Sequence, residues 1–571
     1  MTLRTSLFAL VLLLAGFSSG PPADLVLKNG TIVTLDDAHG EVEALAVRGD
    51  TIVAVGSASD IEEFVGPETQ VIDLEGRTAV PGFIEGHGHF MGMGEAQMKL
   101  DLLGTTSWDQ IVSMVDSAAA GTEAGAWVEG RGWHQEKWTS APGRTVDGFP
   151  TNAQLNDVAP ETPVYLTHAS GHAAIANDAA LQVAGIGPET QDPEGGKIVR
   201  DEEGRATGVL VETAEGLVQK AIEKSRAGMG SEEQQARQRK KVRLAAAEAL
   251  ANGVTSFHDQ GASFETIDLY RTMAENGDLG IRMYAMVSQS EVTPDTRDRL
   301  ASIRTVGAAN GHLTVRSVGE ITADGALGSR SAWMLEPYDD APNDTGLNVT
   351  DVERIREIAE IAMEEEYQVA VHAIGDRANR ETLDLFASLF DENGVNGDSL
   401  RWRIEHAQHL HPDDIPRFGD RGVIASMQAI HACSDAPYNY ERLGAERVEQ
   451  GAYLWKTLWE SGAVVGNGTD VPVEDIDPLA SFHCTVTREV PGSDTAFTEE
   501  ETLSRRQALA SYTVNNAYAA FEEDEKGTLT PGKLADVAVL SKNILEVSAD
   551  QIRETQVDYT IVGGDVAYER E

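Results

Sequence analysis

Between residues 81 and 524, apolar runs of β type alternate with helical stretches, and the runs end near His89, His258, Val287, Ala323, His372, His406, Gln428 and Asp470. Eight such units fit a (β/α)8 barrel, an α/β fold whose chemistry sits at the C-terminal strand ends and the loops that follow. In that architecture the polar residues closing each run converge on one mouth. The spacing is uneven: the first run stops at His89, whereas the second opens only at Val254. The difference defines an insertion over about 95–250. It carries helical patterns, among them Ser231-Glu-Glu-Gln234, a capping box that opens a helix towards Leu250. Its basic run, Arg237 to Arg243, reads as a solvated helix face.

The two ends of the chain have a different texture. Leu25 to Leu27, Thr31 to Leu35, Ala44 to Val47, Thr51 to Val55 and Val71 to Leu74 are β-rich and are punctuated by Asn29-Gly30, Gly49-Asp50 and Gly76, as in a small antiparallel sheet. Asp536 to Leu540, Val557 to Val562 and Gly563-Gly564 repeat the pattern, so residues 21–80 and 525–571 are expected to form one domain. At the extreme N-terminus, Arg4 precedes an apolar run from Leu7 to Gly16 and the small residues Ser18-Ser19-Gly20, which reads as a secretory signal covering 1–20. The expected location is therefore exported, periplasmic or extracellular. No later apolar run is long enough to span a membrane.

Composition narrows the partners. The 93 acidic residues outnumber the 45 basic ones and leave a formal charge of -48, which repels nucleic acid and points instead to a small-molecule substrate. Only 12 of the basic residues are Lys, and this scarcity on an acidic chain suggests a high-salt, halophilic habitat. Homo-oligomerisation is left open. With two cysteines, Cys433 and Cys484, no Cys-rich zinc module is available, so a metal must use His and carboxylates. Cys433 reads as a plain buried thiol, with pairing to Cys484 the alternative for an exported chain.

The metal reading rests on recurrence. In Val80-Pro-Gly-Phe-Ile-Glu-Gly-His87-Gly-His89, two imidazoles two residues apart share one face of a strand and can share an ion at about 2.1 Å. His372 and His406 close two further runs, and Asp470 closes the eighth. One such histidine is ordinary packing; four with an aspartate on the strand ends of one barrel point to a divalent metal, with zinc the expected ion. An ion of this kind lowers the pKa of water from 15.7 to about 7, and a carboxylate beside it can take up the proton and return it to a leaving group.

These segments resemble the amidohydrolase superfamily, and within it the third amidohydrolase family. Beyond His87 and His89, the resemblance is carried by Ala323-Asp324-Gly-Ala-Leu-Gly-Ser-Arg330, the His372 and His406 segments, Ser426-Met-Gln428 with His431, Thr469-Asp470-Val-Pro-Val473 and Gly527-Thr-Leu-Thr-Pro-Gly-Lys-Leu-Ala-Asp536. It implies a distorted barrel with a composite β-sandwich from both termini. It also implies that His87 and His89 hold the more buried of one or two divalent ions, His372 and His406 the second, and that Asp470 is the acid/base as well as a ligand. Many relatives bridge two metals with a carbamylated Lys on the fourth strand. Here Glu320 stands in that place, bringing the same charge on a shorter arm, and is assigned as a ligand; an ion-paired strand residue is the alternative. His431 reads as polarising a carbonyl or contacting substrate, and His172, in the insertion with Trp133-His134, as a substrate contact or a surface residue. His258-Asp259 is either support for the site or structure. The function implied is exported hydrolysis of non-peptide C–N bonds: amide, N-formyl or cyclic amide. Heterocycle deamination, ester hydrolysis and a non-catalytic binding or regulatory barrel are the alternatives.

Overall fold

A computed structural model describes residues 21–571, apart from 124, 136–137, 141, 169–172, 194–195, 229 and 494. The signal segment 1–20 and His172 therefore lie outside the described residues. The chain divides into two compact units, one of residues up to Gly88 together with Ala247–Glu571, the other His89–Ala246.

The first unit contains the expected barrel. Its strands are β1 (Phe83–Gly88), β2 (Val254–Ala262), β3 (Arg282–Val287), β4 (Leu313–Thr322), β5 (Gln368–Ala373), β6 (Arg403–His406), β7 (Ile424–Met427) and β8 (Val465–Asn467). They hydrogen-bond in that sequential order, every pair parallel. Parallel strands buried on both faces need no polar alternation, which explains why their sequences read as near-continuous apolar runs. The ring is closed by the segment that follows β8: Thr469 N–H donates to the Glu85 carboxyl at 2.5 Å, Asp470 N–H to the His87 carbonyl at 2.8 Å, and Gly88 bridges Val471. One boundary differs from expectation. β2 runs on past His258 to Ala262, because a register shift after Asp259 lets the strand continue beside β3.

Both chain ends build one eight-stranded mixed sheet, in which Val537–Leu540 pairs antiparallel with Thr78–Pro81. Alternate residues feed opposite faces, with Leu25, Leu27 and Leu45 in one apolar cluster and Val26, Ala44 and Ala46 in another. Asn29-Gly30 is not the hairpin turn its composition suggests. It is a bulge within the single strand Leu25–Val33, where Asn29 takes φ +63° and a Cβ on Gly30 would lie 2.4 Å from the Arg77 carbonyl oxygen.

The second unit departs further from the sequence reading. Besides most of the expected helix, Ser231–Ala251, it holds a six-stranded sheet that includes Val128–Trp133, Val164–His168, Ala173–Ala176 and Ala206–Glu212. These strands are short and packed on both faces, so periodicity does not distinguish them from buried helix. The basic run is also more than a solvated face: Arg237 and Lys241 converge with Arg226 on the Glu95 carboxylate at 2.6–2.9 Å. No helix among the described residues is long and apolar enough to cross a membrane.

Within the first unit, Arg282 at the start of β3 reaches Asp536 of the terminal sheet through two hydrogen bonds, 2.7 and 3.0 Å, with both side chains buried. Burial opposes the charge on Asp536, but the Arg282 guanidinium outweighs it and holds the carboxyl below its usual range. Removing one partner strands the other charge, so Asp536→Ala is expected to cost about 3–5 kcal/mol in urea unfolding at pH 7. A depressed carboxylate stabilises above its unfolded-state pKa, about 4, and the benefit is lost as pH falls through the lower native value. The unfolding midpoint of Asp536→Asn should accordingly lose less than the parent's as pH is lowered below 4.

Candidate metal and catalytic site

Five of the residues expected at the barrel mouth come together within the first unit. His87 lies on β1, Glu320 on β4, His372 on β5 and His406 at the end of β6, while Asp470 follows β8. His406 and Asp470 adopt left-handed backbone, φ +71° and +60°, which L-residues tolerate poorly. Strained turns of this kind aim side chains at functional sites, and here both chains turn inward.

Glu320 is the centre of the group. One of its oxygens, Oε2, lies 3.3 Å from His372 Nδ1, 3.6 Å from His406 Nε2 and 3.7 Å from His87 Nε2; Asp470 Oδ1 is 3.4 Å from the same His87 nitrogen. The His406 ring stands 4.8 Å from that of His87 and 4.4 Å from that of His372.

The hydrogen bonds behind the rings decide which nitrogen faces inward. His87 Nδ1 meets the Glu405 carboxylate at 2.7 Å, and because a carboxylate only accepts, Nδ1 carries a proton and Nε2 is the nitrogen that faces the cluster. Gln428 donates its amide to the Ser426 carbonyl, so its oxygen accepts from His406 Nδ1 at 2.6 Å and His406 Nε2 is likewise directed inward. Three acids and buried imidazoles in one place require positive charge. Burial opposes protonation of His87, but Glu320, Asp470 and Glu405 outweigh it and hold its pKa well above the ordinary imidazole value. Burial likewise disfavours charge on Glu320, yet His87, His372 and His406 hold its carboxyl well below the usual range.

The residues fit a divalent ion. Donors bound tetrahedrally at about 2.1 Å are separated from one another by about 3.4 Å, close to the 3.6 and 3.7 Å from Glu320 to His406 and His87 and the 3.4 Å from Asp470 to His87. The sets His87–His406–Asp470 and Glu320–His372–His406 each bring three possible ligand atoms within 4.8 Å of one another.

Beneath the cluster lies machinery that was not read from the sequence. Arg403 is buried at the barrel centre, with Nη2 donating to the Gly86 carbonyl at 2.8 Å, to Ser426 Oγ at 2.6 Å and to Glu405 at 3.0 Å, and Nη1 to His258 Nδ1 at 3.2 Å. Burial raises the Glu405 pKa, but Arg403 and then His87 reverse this and keep it ionised. His258 is thus a support, held neutral by burial and by Arg403, rather than a member of the cluster. Asp324, fully buried beyond β4, accepts from the Trp333, Ile374 and Gly375 N–H groups at 2.7–2.9 Å and faces His372 Nε2 at 3.6 Å. The signal for Arg403 and Glu405 was present: two charged residues two apart, on one face of the strand that ends at His406. Glu85 is the same kind of clue; burial pushes its pKa up to about 8, against the opposing Thr469 N–H.

Of the other residues singled out, His431 is buried on the helix Ala429–Gly451, with its ring stacked on His406 at 6.2 Å and 18°. His89 is the first residue of the second unit, at the N-cap of the helix Phe90–Ala96. In that unit Trp133 is not a surface residue: it is fully buried and donates its indole N–H to the Leu166 carbonyl. Cys433 is not a plain thiol. It is bonded to Cys484, because the helices carrying the two residues bring their Cα atoms within 6.2 Å, inside the range a disulfide spans.

The amidohydrolase family model (Amidohydro_3) matches residues 70–568. The protein LONG AFTER FAR-RED 3 of Arabidopsis thaliana is 33% identical over 96% of this chain and 92% of its own length. The N-substituted formamide deformylase of Arthrobacter pascens is 26% identical over 96% of this chain and 98% of its own. Among solved structures, an uncharacterized metal-dependent hydrolase from Pyrococcus horikoshii superposes with a TM-score of 0.70 at 27% identity, covering 92% of this chain and 99% of that one.

Because partners behind a metal-binding imidazole typically carry 10–100-fold in metal affinity, Glu405→Gln is expected to weaken binding by about that factor in a chelator competition. Parent-like affinity in a folded Glu405→Gln protein would mean that the carboxylate does not serve His87.

Proposed function

Since the chain belongs to the amidohydrolase family and is a metal-dependent hydrolase of it, we propose that it hydrolyses non-peptide C–N bonds in small molecules, N-substituted formamides and simple or cyclic amides first among them. The observation that carries this reading is the convergence of three imidazoles and two carboxylates on one point at the barrel mouth. The named activity of the Arthrobacter relative supports the choice of N-formyl substrates.

In this reading His87, Glu320, His372, His406 and Asp470 hold one or two divalent ions, with zinc the expected metal, and His89 is assigned to them on its sequence motif alone. When bound, the metal supplies Lewis acidity and brings the pKa of water towards about 7. The protein does the rest. Asp470, 3.4 Å from His87 and on a backbone turn that aims it at the cluster, takes up the proton released from water and delivers it to the leaving nitrogen. His431, which burial holds neutral, is placed to hydrogen-bond the substrate carbonyl. His172 is assigned to the substrate on its sequence motif alone. We further propose that the protein is exported with loss of about the first 20 residues and works in a salty, oxidising compartment; its disulfide and its charge of -48 support this.

The decisive variant is Asp470→Asn. Loss of a general acid/base group costs about 10² or more in turnover, so hydrolysis across a panel of N-substituted formamides and amides should fall by that factor while metal stays bound. Near-normal turnover by Asp470→Asn on a substrate the parent hydrolyses would overturn the mechanism.

A further inference from the structure

The helix that carries His431 is poorly secured by its own hydrogen bonds. It begins directly after β7 with Gln428 at the N-cap, but the Gln428 side chain is committed to His406 and caps nothing. Two turns later comes Pro437, which has no N–H, so the Cys433 carbonyl four residues back loses its helical partner. Gly444, at φ +72° and ψ 164°, interrupts the helix again. The turns that hold His431 therefore belong to a helical stretch, Ala429 to Leu443, that lacks one backbone hydrogen bond at Cys433 and is broken at Gly444 from the piece that follows.

External tethers take over. Ala429 N–H donates to Asn467 Oδ1 at the end of β8 at 3.0 Å, and Asn467 Nδ2 in turn reaches Thr485 Oγ1 at 3.3 Å. Thr485 belongs to the helix Pro478–Thr487, whose N-cap Asp477 closes the segment that begins at Asp470. The neighbouring residue, Cys484, makes the covalent tether, bonded to Cys433 across a separation of 51 residues. Its anchor point is the very residue whose carbonyl Pro437 leaves unpartnered. The bond joins the segment after β7 to the segment after β8, and these carry His431 and Asp470. His431 Nε2 is buried and makes no hydrogen bond among the described residues, as suits a group reserved for a ligand.

We propose that the Cys433–Cys484 disulfide is a positioning device for His431, holding its imidazole over His406 so that Nε2 meets the substrate. This rests on the reading of His431 as a substrate contact, and the experiment separates the two. Hydrolysis of an N-substituted formamide or amide turned over by the metal-loaded parent is compared in four proteins: parent, Cys433→Ala/Cys484→Ala, His431→Gln, and the triple variant. Small displacements of a positioned group are costly, so removing the disulfide should lower kcat/KM by about tenfold in the parent. In the His431→Gln background the same change should cost less than about twofold, the mark of residues acting through one another. Thermal midpoints should drop equally in both backgrounds. An equal kcat/KM loss in both backgrounds overturns the positioning role while leaving the substrate contact standing; parent-like kcat/KM in His431→Gln overturns the contact and the proposal with it. Should the alanine pair not fold, reducing and alkylating the folded parent and the folded His431→Gln protein gives the same comparison. Thiol titration of the unfolded, unreduced protein is the second readout: no free thiol is expected, and two would overturn the bond itself.

Discussion

Arg403 and Glu405 lie two residues apart on β6, both buried, and the site is organised around their contact. Taking two charges out of water costs several kcal/mol each, a cost recovered only if every donor and acceptor finds a partner. Here the partners come from four different strands. Gly86 on β1, His258 on β2, Ser426 on β7 and Glu405 on β6 surround one guanidinium, so its placement depends on the barrel being correctly assembled. Glu405 passes that order to His87, fixing which ring nitrogen faces the cluster. A buried ion pair is weak evidence for stability; at this position it confers geometry.

The second constraint is charge. Glu405 is paired with Arg403, while Glu320 and Asp470 gather around buried imidazoles, where a bound divalent cation would balance their charge. A glutamate at the fourth strand meets three ring nitrogens through one oxygen, although its arm is shorter than that of a carbamylated lysine. The reach is made up by the strands themselves, since β4 and β5 are adjacent and His372 faces Glu320 directly. Asp324 then holds the far side of His372 and knits the segments after β4 and β5 together through three backbone N–H groups.

Much of this was legible in the amino-acid order. Strand ends near His372, His406 and Gln428, the pairing of both termini in one sheet, and the convergence of His87 and Asp470 follow from where apolar runs stop, whereas Glu320 entered through the resemblance to the family. What escaped did so for physical reasons. Arg403 and Glu405 look like incidental charges until the barrel closes around them, because their partners are supplied by distant strands. The second unit's sheet is built from segments such as Ala173–Ala176, whose double-sided burial erases the period-two signal. Asn29-Gly30 has turn composition, and only the crowding of Gly30 against Arg77 and Leu74 makes it a bulge. The disulfide depends on a helix–helix approach that spacing along the chain does not encode.

The central claim is that one glutamate oxygen and three imidazoles define the metal position. Anomalous X-ray diffraction from metal-loaded crystals, recorded on either side of the zinc absorption edge, tests it directly. The account predicts a peak within coordination distance of Glu320 Oε2, His372 Nδ1, His406 Nε2 and His87 Nε2. A peak that leaves Glu320 uncoordinated, or strong metal signal only elsewhere in the molecule, would contradict it.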